Sequence, residues 1–305
     1  MNTTFRINKE SSLYYDKSSF YAYLHTLTPL FVLVCLLAIA KSIESVIGSV
    51  LIIISIGLVQ YQIYFPLHDC SHYSLFKSRA ENIFFGNILA GFLFTTFDGF
   101  KNEHMEHHKF YGTLKDPGAI DYWVKFNSRY EMIFFLLTPL WGGTILKKVN
   151  NLYKFKSSSK RKSKKTWYNF FILILLQTLI AIFLSNNFMS PMRYILFYIL
   201  PATTLFLFLS RLRMLLEHGS LNYSQFDYLT LPRITARTIP SNFIENKFLF
   251  NMNFNYHYEH HRFPQIPSCE LKRFHEEIGH SLIEEVDFQK TYFKSFTNLW
   301  NNLEK

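Results

Sequence analysis

The chain has 305 residues, of which 49% are hydrophobic and only 18% are charged. The hydrophobic residues concentrate in several blocks of roughly 15 to 26 residues with the charges between them, a pattern that argues against a water-soluble globular protein. The net charge of +10 does not indicate nucleic-acid binding, because nine Lys and Arg residues and no acid fall within residues 147–165. Cys35, Cys70 and Cys269 are too far apart in sequence to predict a disulfide framework or a zinc ribbon. Since the first 20 residues are polar, no cleaved signal peptide is expected there.

Four blocks are long and apolar enough to predict membrane-spanning helices, at residues 20–40, 46–67, 167–184 and 194–210. The first block carries no charge over 21 residues, which at about 1.5 Å per residue covers a hydrocarbon core of roughly 30 Å. Short connections join the first block to the second and the third to the fourth, and these indicate antiparallel hairpins. The predicted fold class is an all-α integral membrane protein with four transmembrane helices in two hairpins.

The basic segment 147–165 precedes the third span, and the positive-inside rule places it in the cytoplasm. The third span then runs outward and the fourth returns, so both long polar regions face the cytoplasm. We therefore predict one membrane domain over residues 1–305, with a cytoplasmic helical cap formed by residues 68–165 and 211–305. The shorter apolar blocks 83–97 and 130–146 are expected to be interfacial or half-buried helices, although two further spans would leave the topology consistent.

Histidine is the residue type that carries the chemistry of this chain. It occurs 12 times, and eight of the 12 fall into three short motifs. The motifs are His68-Asp69-Cys70-Ser71-His72, His104-Met105-Glu106-His107-His108 and His257-Tyr258-Glu259-His260-His261. Helix positions three and four apart share a face, so each motif projects two or three imidazoles in one direction. One such pair arises often by chance, but neither packing nor solubility explains three motifs, two of them with the same HxxHH spacing.

Two metal ions are expected, because eight imidazoles exceed the four ligands of a tetrahedral zinc site. Imidazole suits Zn, Cu, Fe and Ni, so the ligand type leaves the metal open. The chain has no HExxH motif, which argues against a zinc metalloprotease. All three motifs lie on the predicted cytoplasmic side, as the ligands of one site must.

Four histidines lie outside the three motifs. His218 follows the fourth span and is a candidate ninth ligand, although a histidine at a helix end before the glycine C-cap Gly219 also has a purely structural interpretation. His25, His275 and His280 are interpreted as structural or solvent-facing.

With these motifs, residues 45–280 resemble the membrane fatty acid desaturase superfamily, which comprises integral-membrane di-iron enzymes. HDCSH, HMEHH and HYEHH resemble the first, second and third histidine motifs of the family, with a pair of spans between the second and third. His218 matches an additional histidine that family members place after the fourth span. The resemblance implies a di-iron centre with these ligands: His68, His72, His104, His107, His108, His218, His257, His260 and His261.

Some details of the motifs resemble particular subgroups. The HxxxH spacing of the first motif is similar to that of acyl-lipid desaturases, carotenoid ketolases and sphingolipid desaturases. His257 stands where front-end desaturases usually have Gln, which disfavours that subgroup. The stretch NFNYHYEHHRFPQIP resembles bacterial acyl-lipid desaturases and carotenoid ketolases, and Asp116-Pro117 resembles a recurrent family pattern. Met214 stands where some members have an Asn that helps to hold a metal-bound water.

The resemblance implies O₂-dependent desaturation of a lipid or acyl chain at the cytoplasmic face of a bacterial inner membrane or its equivalent. Carboxylates near the motifs are candidates to orient the imidazole rings, with plain solvent exposure as the alternative: Asp69, Glu103, Glu106, Glu217 and Glu259. The chain has no cysteine pattern for an iron–sulfur cluster, no GxGxxG and no HPGG haem motif, so a separate ferredoxin or cytochrome b5-like electron donor is expected. The cations that could dock an acidic donor, or instead bind lipid headgroups, are Arg211, Arg213, Arg262, Lys272 and Arg273.

Two other functions compete with a desaturase. A di-iron hydroxylase or ketolase acting on a lipid or carotenoid would use the same histidines, and product mass distinguishes it, because desaturation loses two hydrogens whereas hydroxylation gains an oxygen. A membrane metal transporter would place ionisable residues inside its spans, and the four blocks almost lack them.

Overall fold

The computed structural model describes residues 12–144, 164–185, 191–219, 236–248, 251–279 and 290–303. Almost all of the basic segment 147–165, and also His280, lie outside the described residues. The described secondary structure is helical, apart from a single bridge between Thr238 and Tyr256.

The first two long helices are α1 (Ser19–Ser42) and α2 (Val46–Ser71). The hydroxyls of Ser18 and Ser45 cap them by accepting hydrogen bonds from backbone N–H groups of the first turn. Three residues join the two helices, which pack against each other. The last turn of α2 contains His68, so the first histidine motif is held at the end of a long rigid element.

Two more long helices follow, α6 (Lys164–Leu184) and α7, which runs over Met192–His218. A π-helical turn at Ile195–Ile199 precedes Pro201, whose ring and missing N–H disrupt regular α-helical hydrogen bonding. Thr204 leaves the helical conformation, and the chain re-enters the helix at the next residue. The helix then continues to His218.

Four helices among the described residues are apolar and long enough to cross a membrane: Ser19–Ser42, Val46–Ser71, Trp167–Leu184 and Met192–His218. They contain the four predicted blocks, so the prediction of four long apolar helices is confirmed. Large apolar side chains stay exposed on their outer faces, including Phe31 at 70% and Phe171 at 62%. Lipid rather than water is the solvent that suits such faces.

The apolar block 83–97 falls in α3 (Arg79–Phe92) and in the turn before α4 (Phe97–Phe110). The two helices meet at an angle of 96°. Ser78 and Glu81 form a capping box at the start of α3, which packs against both α2 and α6. After the bend, α4 carries the second histidine motif.

The remaining helices are short and surround the ends of α2, α4 and α7. They are α5 (Arg129–Leu137), α8 (Phe243–Phe248), α9 (His257–Arg262), α10 (Ser268–Glu277) and α11 (Tyr292–Asn301). The apolar block 130–146 corresponds to α5 and a 3₁₀ turn at Thr138–Trp141, with its last two residues outside the described part. At nine residues α5 is far shorter than a span. The third histidine motif forms α9.

Candidate metal centre

Nine histidines converge where α2, α4, α7 and α9 meet. Their ring nitrogens form two groups, in each of which the potential ligand atoms lie within 4.8 Å of one another. The five-histidine group consists of His68, His72, His104, His108 and His260. The four-histidine group consists of His107, His218, His257 and His261. The structure therefore brings together every histidine that the sequence predicted as a ligand, including His218.

Helix periodicity explains why the HxxHH motifs divide between the groups. At 3.6 residues per turn, residues four apart differ in direction by about 40°, whereas adjacent residues differ by about 100°. His104 and His108 accordingly belong to one group, and His107 belongs to the other. The third motif divides in the same way, since His257 and His261 are together and His260 is apart. One turn of helix thus contributes histidines to two neighbouring groups.

In the five-histidine group the Nε2 atoms form a chain of close approaches. His104 Nε2 lies 2.8 Å from His72 Nε2 and 3.0 Å from His108 Nε2, which lies 3.0 Å from His260 Nε2. The ring of His68 is fully buried, and its Nε2 has no hydrogen-bond partner among the described residues. This unpartnered nitrogen belongs to the same group.

The four-histidine group has the same geometry. His257 Nε2 lies 2.8 Å from His218 Nε2 and 3.1 Å from His261 Nε2. The ring centroid of His107 lies 4.9 Å from that of His218 and 5.0 Å from that of His261. His261 also stacks on His108 of the other group, with ring centroids 4.3 Å apart, so the two groups are adjacent.

The protonation state and the spacing of these ring nitrogens are those of atoms that bind a metal cation, and not those of atoms that hydrogen-bond to one another. Burial is the largest cause that lowers the pKa of His257, His260 and His261 well below the ordinary value, and it lowers that of His72 to about 3. The rings are therefore unprotonated at neutral pH, as ligands must be. Two nitrogens bound at right angles to one metal at about 2.1 Å lie about 3.0 Å apart, which matches the spacing of the ring nitrogens.

Two buried carboxylates contact the Nδ1 atoms of ligand rings. Asp69 Oδ1 lies 3.2 Å from His68 Nδ1, and Asp116 Oδ2 lies 2.8 Å from His107 Nδ1. A ring N–H that donates to a carboxylate fixes the tautomer and turns Nε2 toward the metal. Asp116 also accepts hydrogen bonds from Tyr122 Oη and from the backbone N–H of Gly118. Asp69 was a predicted candidate for this role because it lies within the first motif. Asp116 was not, because only the turn after α4 brings it back onto His107.

The other candidate carboxylates differ in their surroundings. Glu259 is buried and contacts His275 Nδ1 and the hydroxyl of Thr238, so His275 has a structural role. Glu217 is buried beside His257. Glu103 and Glu106 are exposed.

Arg211 and Arg213 were candidates to dock an electron donor or to bind lipid headgroups, and their burial contradicts both roles. Their side chains are only 1% and 4% exposed. Arg211 pairs with Asp121, and Arg213 pairs with Glu217. The helices α5 and α11 pack on this part of α7. The remaining predicted cations, Arg262, Lys272 and Arg273, are exposed.

A cavity of about 320 Å³ borders both histidine groups, reaching His104 of one and His107 and His257 of the other. Its walls are largely apolar and come from the ends of α2, α4 and α7. Tyr64, Leu67, Phe100, Phe206, Leu207 and Met214 are among its lining residues. The cavity is therefore placed to hold an apolar chain beside the ring nitrogens.

Comparison with known proteins agrees with this geometry. The model of the fatty acid desaturase family matches residues 45–292, most of the chain and all nine histidines. A protein of Bacillus subtilis (strain 168) called "Fatty acid desaturase" is 24% identical over 282 residues, which cover 85% of this chain and 76% of the relative. A family match of this extent, together with the two histidine groups, leads to one conclusion: the chain belongs to the fatty acid desaturase family.

Proposed function

We propose that this chain is an O₂-dependent di-iron desaturase that introduces a double bond into an acyl chain of a membrane lipid. The observation that carries the proposal is the sorting of nine histidines into adjacent groups of five and four beside an apolar cavity. Family membership supports an oxidoreductase that acts on fatty acyl chains.

Each histidine group would hold one iron ion. Iron in such a site supplies the one-electron and O₂ chemistry needed to oxidise an unactivated C–H bond, which acid–base side chains do not supply. Asp69 and Asp116 would orient the rings of His68 and His107 through Nδ1.

The cavity residues would position the substrate. Leu67 and Phe206 present apolar surface to an acyl chain, and the cavity ends at His104, His107 and His257. An apolar wall excludes water and holds the chain in one orientation relative to the ions, on which the position of oxidation depends.

We further propose that the protein is multi-pass, with the histidine groups on the cytoplasmic face. The four apolar helices support this arrangement together with the basic segment that precedes the third. Electrons would come from a separate ferredoxin or cytochrome b5-like protein. The exposed cations Arg262, Lys272 and Arg273 offer it a docking surface close to the third motif.

The test is lipid mass spectrometry on a heterologous host that expresses the wild type or the variant His107→Ala/His108→Ala, which removes one ligand from each group. His25→Ala is the matched control, because His25 belongs to neither group. We expect lipids lighter by two hydrogens in hosts with the wild type or the control, and none with the double variant.

Two outcomes would contradict the proposal. Lipids heavier by one oxygen would assign a hydroxylase instead. Purified wild-type protein that holds no iron would remove the di-iron basis of the reaction.

A further inference from the structure

The last turn of α7 buries a carboxylate directly beside the four-histidine group. Glu217 is 0% exposed and precedes His218, a member of that group. A buried carboxylate is costly unless each of its oxygens is paired. The contacts of Glu217 show what its oxygens are paired with.

Each oxygen of Glu217 has a defined partner. Oε1 accepts a hydrogen bond of 2.7 Å from the hydroxyl of Tyr292, and Oε2 accepts one of 2.7 Å from Nη1 of Arg213. Oε2 also lies 3.4 Å from Nε2 of His257. That nitrogen is the one closest to the ring nitrogens of His218 and His261, so Oε2 borders the point where ring nitrogens of the four-histidine group converge.

The separation of Oε2 from His257 Nε2 is informative. It exceeds the roughly 2.7–2.9 Å of a charge-assisted hydrogen bond between nitrogen and a carboxylate. Two ligand atoms about 2.1 Å from one cation lie about 3.0 Å apart at a right angle and about 3.6 Å apart at the 120° angle of a five-coordinate site. The observed 3.4 Å falls between these two values and is therefore compatible with two atoms that share a cation.

Glu217 also differs from the other carboxylates near the ligand rings. Asp69 and Asp116 contact Nδ1, on the side of the ring away from the converging nitrogens. Among the residues that the structure describes, Glu217 is the acid that approaches a ligand ring at Nε2. It does so in the group that has four histidines rather than five.

We propose that Glu217 is the acidic ligand of the four-histidine group and contributes Oε2 to the cation held there. Arg213 and Tyr292 keep the carboxylate in position. The inference rests on the proposed function in so far as it requires a metal in this group. It makes the two sites chemically unequal, one with five neutral nitrogens and the other with four nitrogens and an anion.

The test measures bound iron per chain in purified protein that is dialysed against increasing chelator. The variant Glu217→Gln removes the anionic oxygen but leaves Arg213 buried without its counter-ion. The double variant Arg213→Met/Glu217→Gln removes both charges and preserves side-chain volume. Glu217→Asp keeps the charge beside Arg213 but withdraws the oxygen by one methylene.

For all three variants we expect one iron to be retained as in the wild type and the other to be lost at a chelator concentration at least about 10-fold lower, since even groups that only orient a ligand contribute roughly 10- to 100-fold to metal affinity. His218→Ala, which removes a histidine of the same group, serves as the reference for that loss. Thermal unfolding and gel filtration identify the variants that are folded.

The double variant decides between a ligand and a counter-ion. If it holds two irons as tightly as the wild type, Glu217 serves only to neutralise Arg213 and the inference is overturned. If the wild type itself holds no iron, the proposed function fails and the inference fails with it. The two failures are therefore distinguishable.

Discussion

At the residue scale, Asp116 is a buried acid that contacts the ring of His107 and fixes its orientation. Its carboxylate contacts His107 Nδ1 at 2.8 Å and is itself held by Tyr122 and Gly118. The space at Gly118 is limited, because a Cβ there would lie 3.3 Å from Asp116 Oδ1 and 3.4 Å from His107 Nδ1. The turn after α4 is thus shaped to bring Asp116 against the ring.

We expect Asp116→Asn to weaken metal binding at the four-histidine group by roughly 10- to 100-fold, because the amide no longer provides a charged acceptor for the His107 N–H. Metal content after dialysis against a chelator measures the change. Glu106→Gln is the matched control, since Glu106 is an exposed acid next to His107. An equal loss in both variants would show that the effect is one of overall charge.

The sequence predicts the histidines of the site well, but it predicts the residues around them poorly. The histidine spacing singles out eight of the nine residues that the structure brings together, and the position of His218 after an apolar block singles out the ninth. Asp116 lies eight residues beyond the second motif, and only the turn that follows α4 shows that it returns to His107. Arg211 and Arg213 look like interfacial cations at the end of a span, but helices distant in sequence bury them.

At the scale of the elements, α2 and α7 approach each other closely at Gly57. A Cβ on Gly57 would lie 3.0–3.3 Å from side-chain atoms of Leu205, just after the helix break at Thr204. Small residues allow such close approach between helices in a membrane. Because α2 carries the first motif and α7 carries His218, this contact joins two helices that hold histidines of different groups.

We expect Gly57→Leu to lower the thermal unfolding temperature of the detergent-solubilised protein and the amount of bound metal, since overpacking typically costs about 1–3 kcal/mol. Val50→Leu is the control, because Val50 lies on the same helix and is 50% exposed. Equal unfolding temperatures for the two variants would contradict the close packing of α2 and α7.

The long helices are predictable from sequence, because an uninterrupted apolar block in a bilayer has one stable structure, a hydrogen-bonded helix. The 96° bend between α3 and α4 is not predictable from sequence, because the apolar block 83–97 runs across it without a proline. The bend follows from contacts that the sequence does not show, with α3 packed against both α2 and α6.

At the scale of the whole molecule, the proposed topology places the α1–α2 connection and the second histidine motif on opposite sides of the membrane. Glu44 and Glu106 are exposed residues in these two places. In spheroplasts, a membrane-impermeant maleimide should label Glu44→Cys but not Glu106→Cys until the membrane is opened. Labelling of both from outside, or of Glu106→Cys alone, would contradict the cytoplasmic placement of the histidines.

Buried histidines also make the stability of the metal-free protein depend on pH. Burial lowers the pKa of His72 to about 3 and that of His108 to about 2, against about 6.5 in an unfolded chain. Between these values the unfolded chain binds more protons than the folded protein, so stability rises with pH in this window and is complete above about 6.5.

We therefore expect the unfolding temperature of metal-free protein to be lower at pH 5 than at pH 8. His72→Gln, which removes one of these titrating groups, should show a smaller difference between the two conditions. An unfolding temperature independent of pH in this range would contradict the prediction.

Each histidine group combines residues from different motifs, and this has a consequence for the assembly of the protein. Neither histidine group is complete until the third motif has been synthesised, because His260 and His261 belong to different groups. The spans can enter the membrane one after another during translation, but the metal sites cannot form in parallel with them. An ion held by each group, as proposed, would join the end of α2 or α4 to α9 across most of the sequence and would restrict the unfolded chain as a cross-link does. On the proposed function, metal insertion would therefore follow synthesis of the third motif and would link the N-terminal and C-terminal parts of the fold.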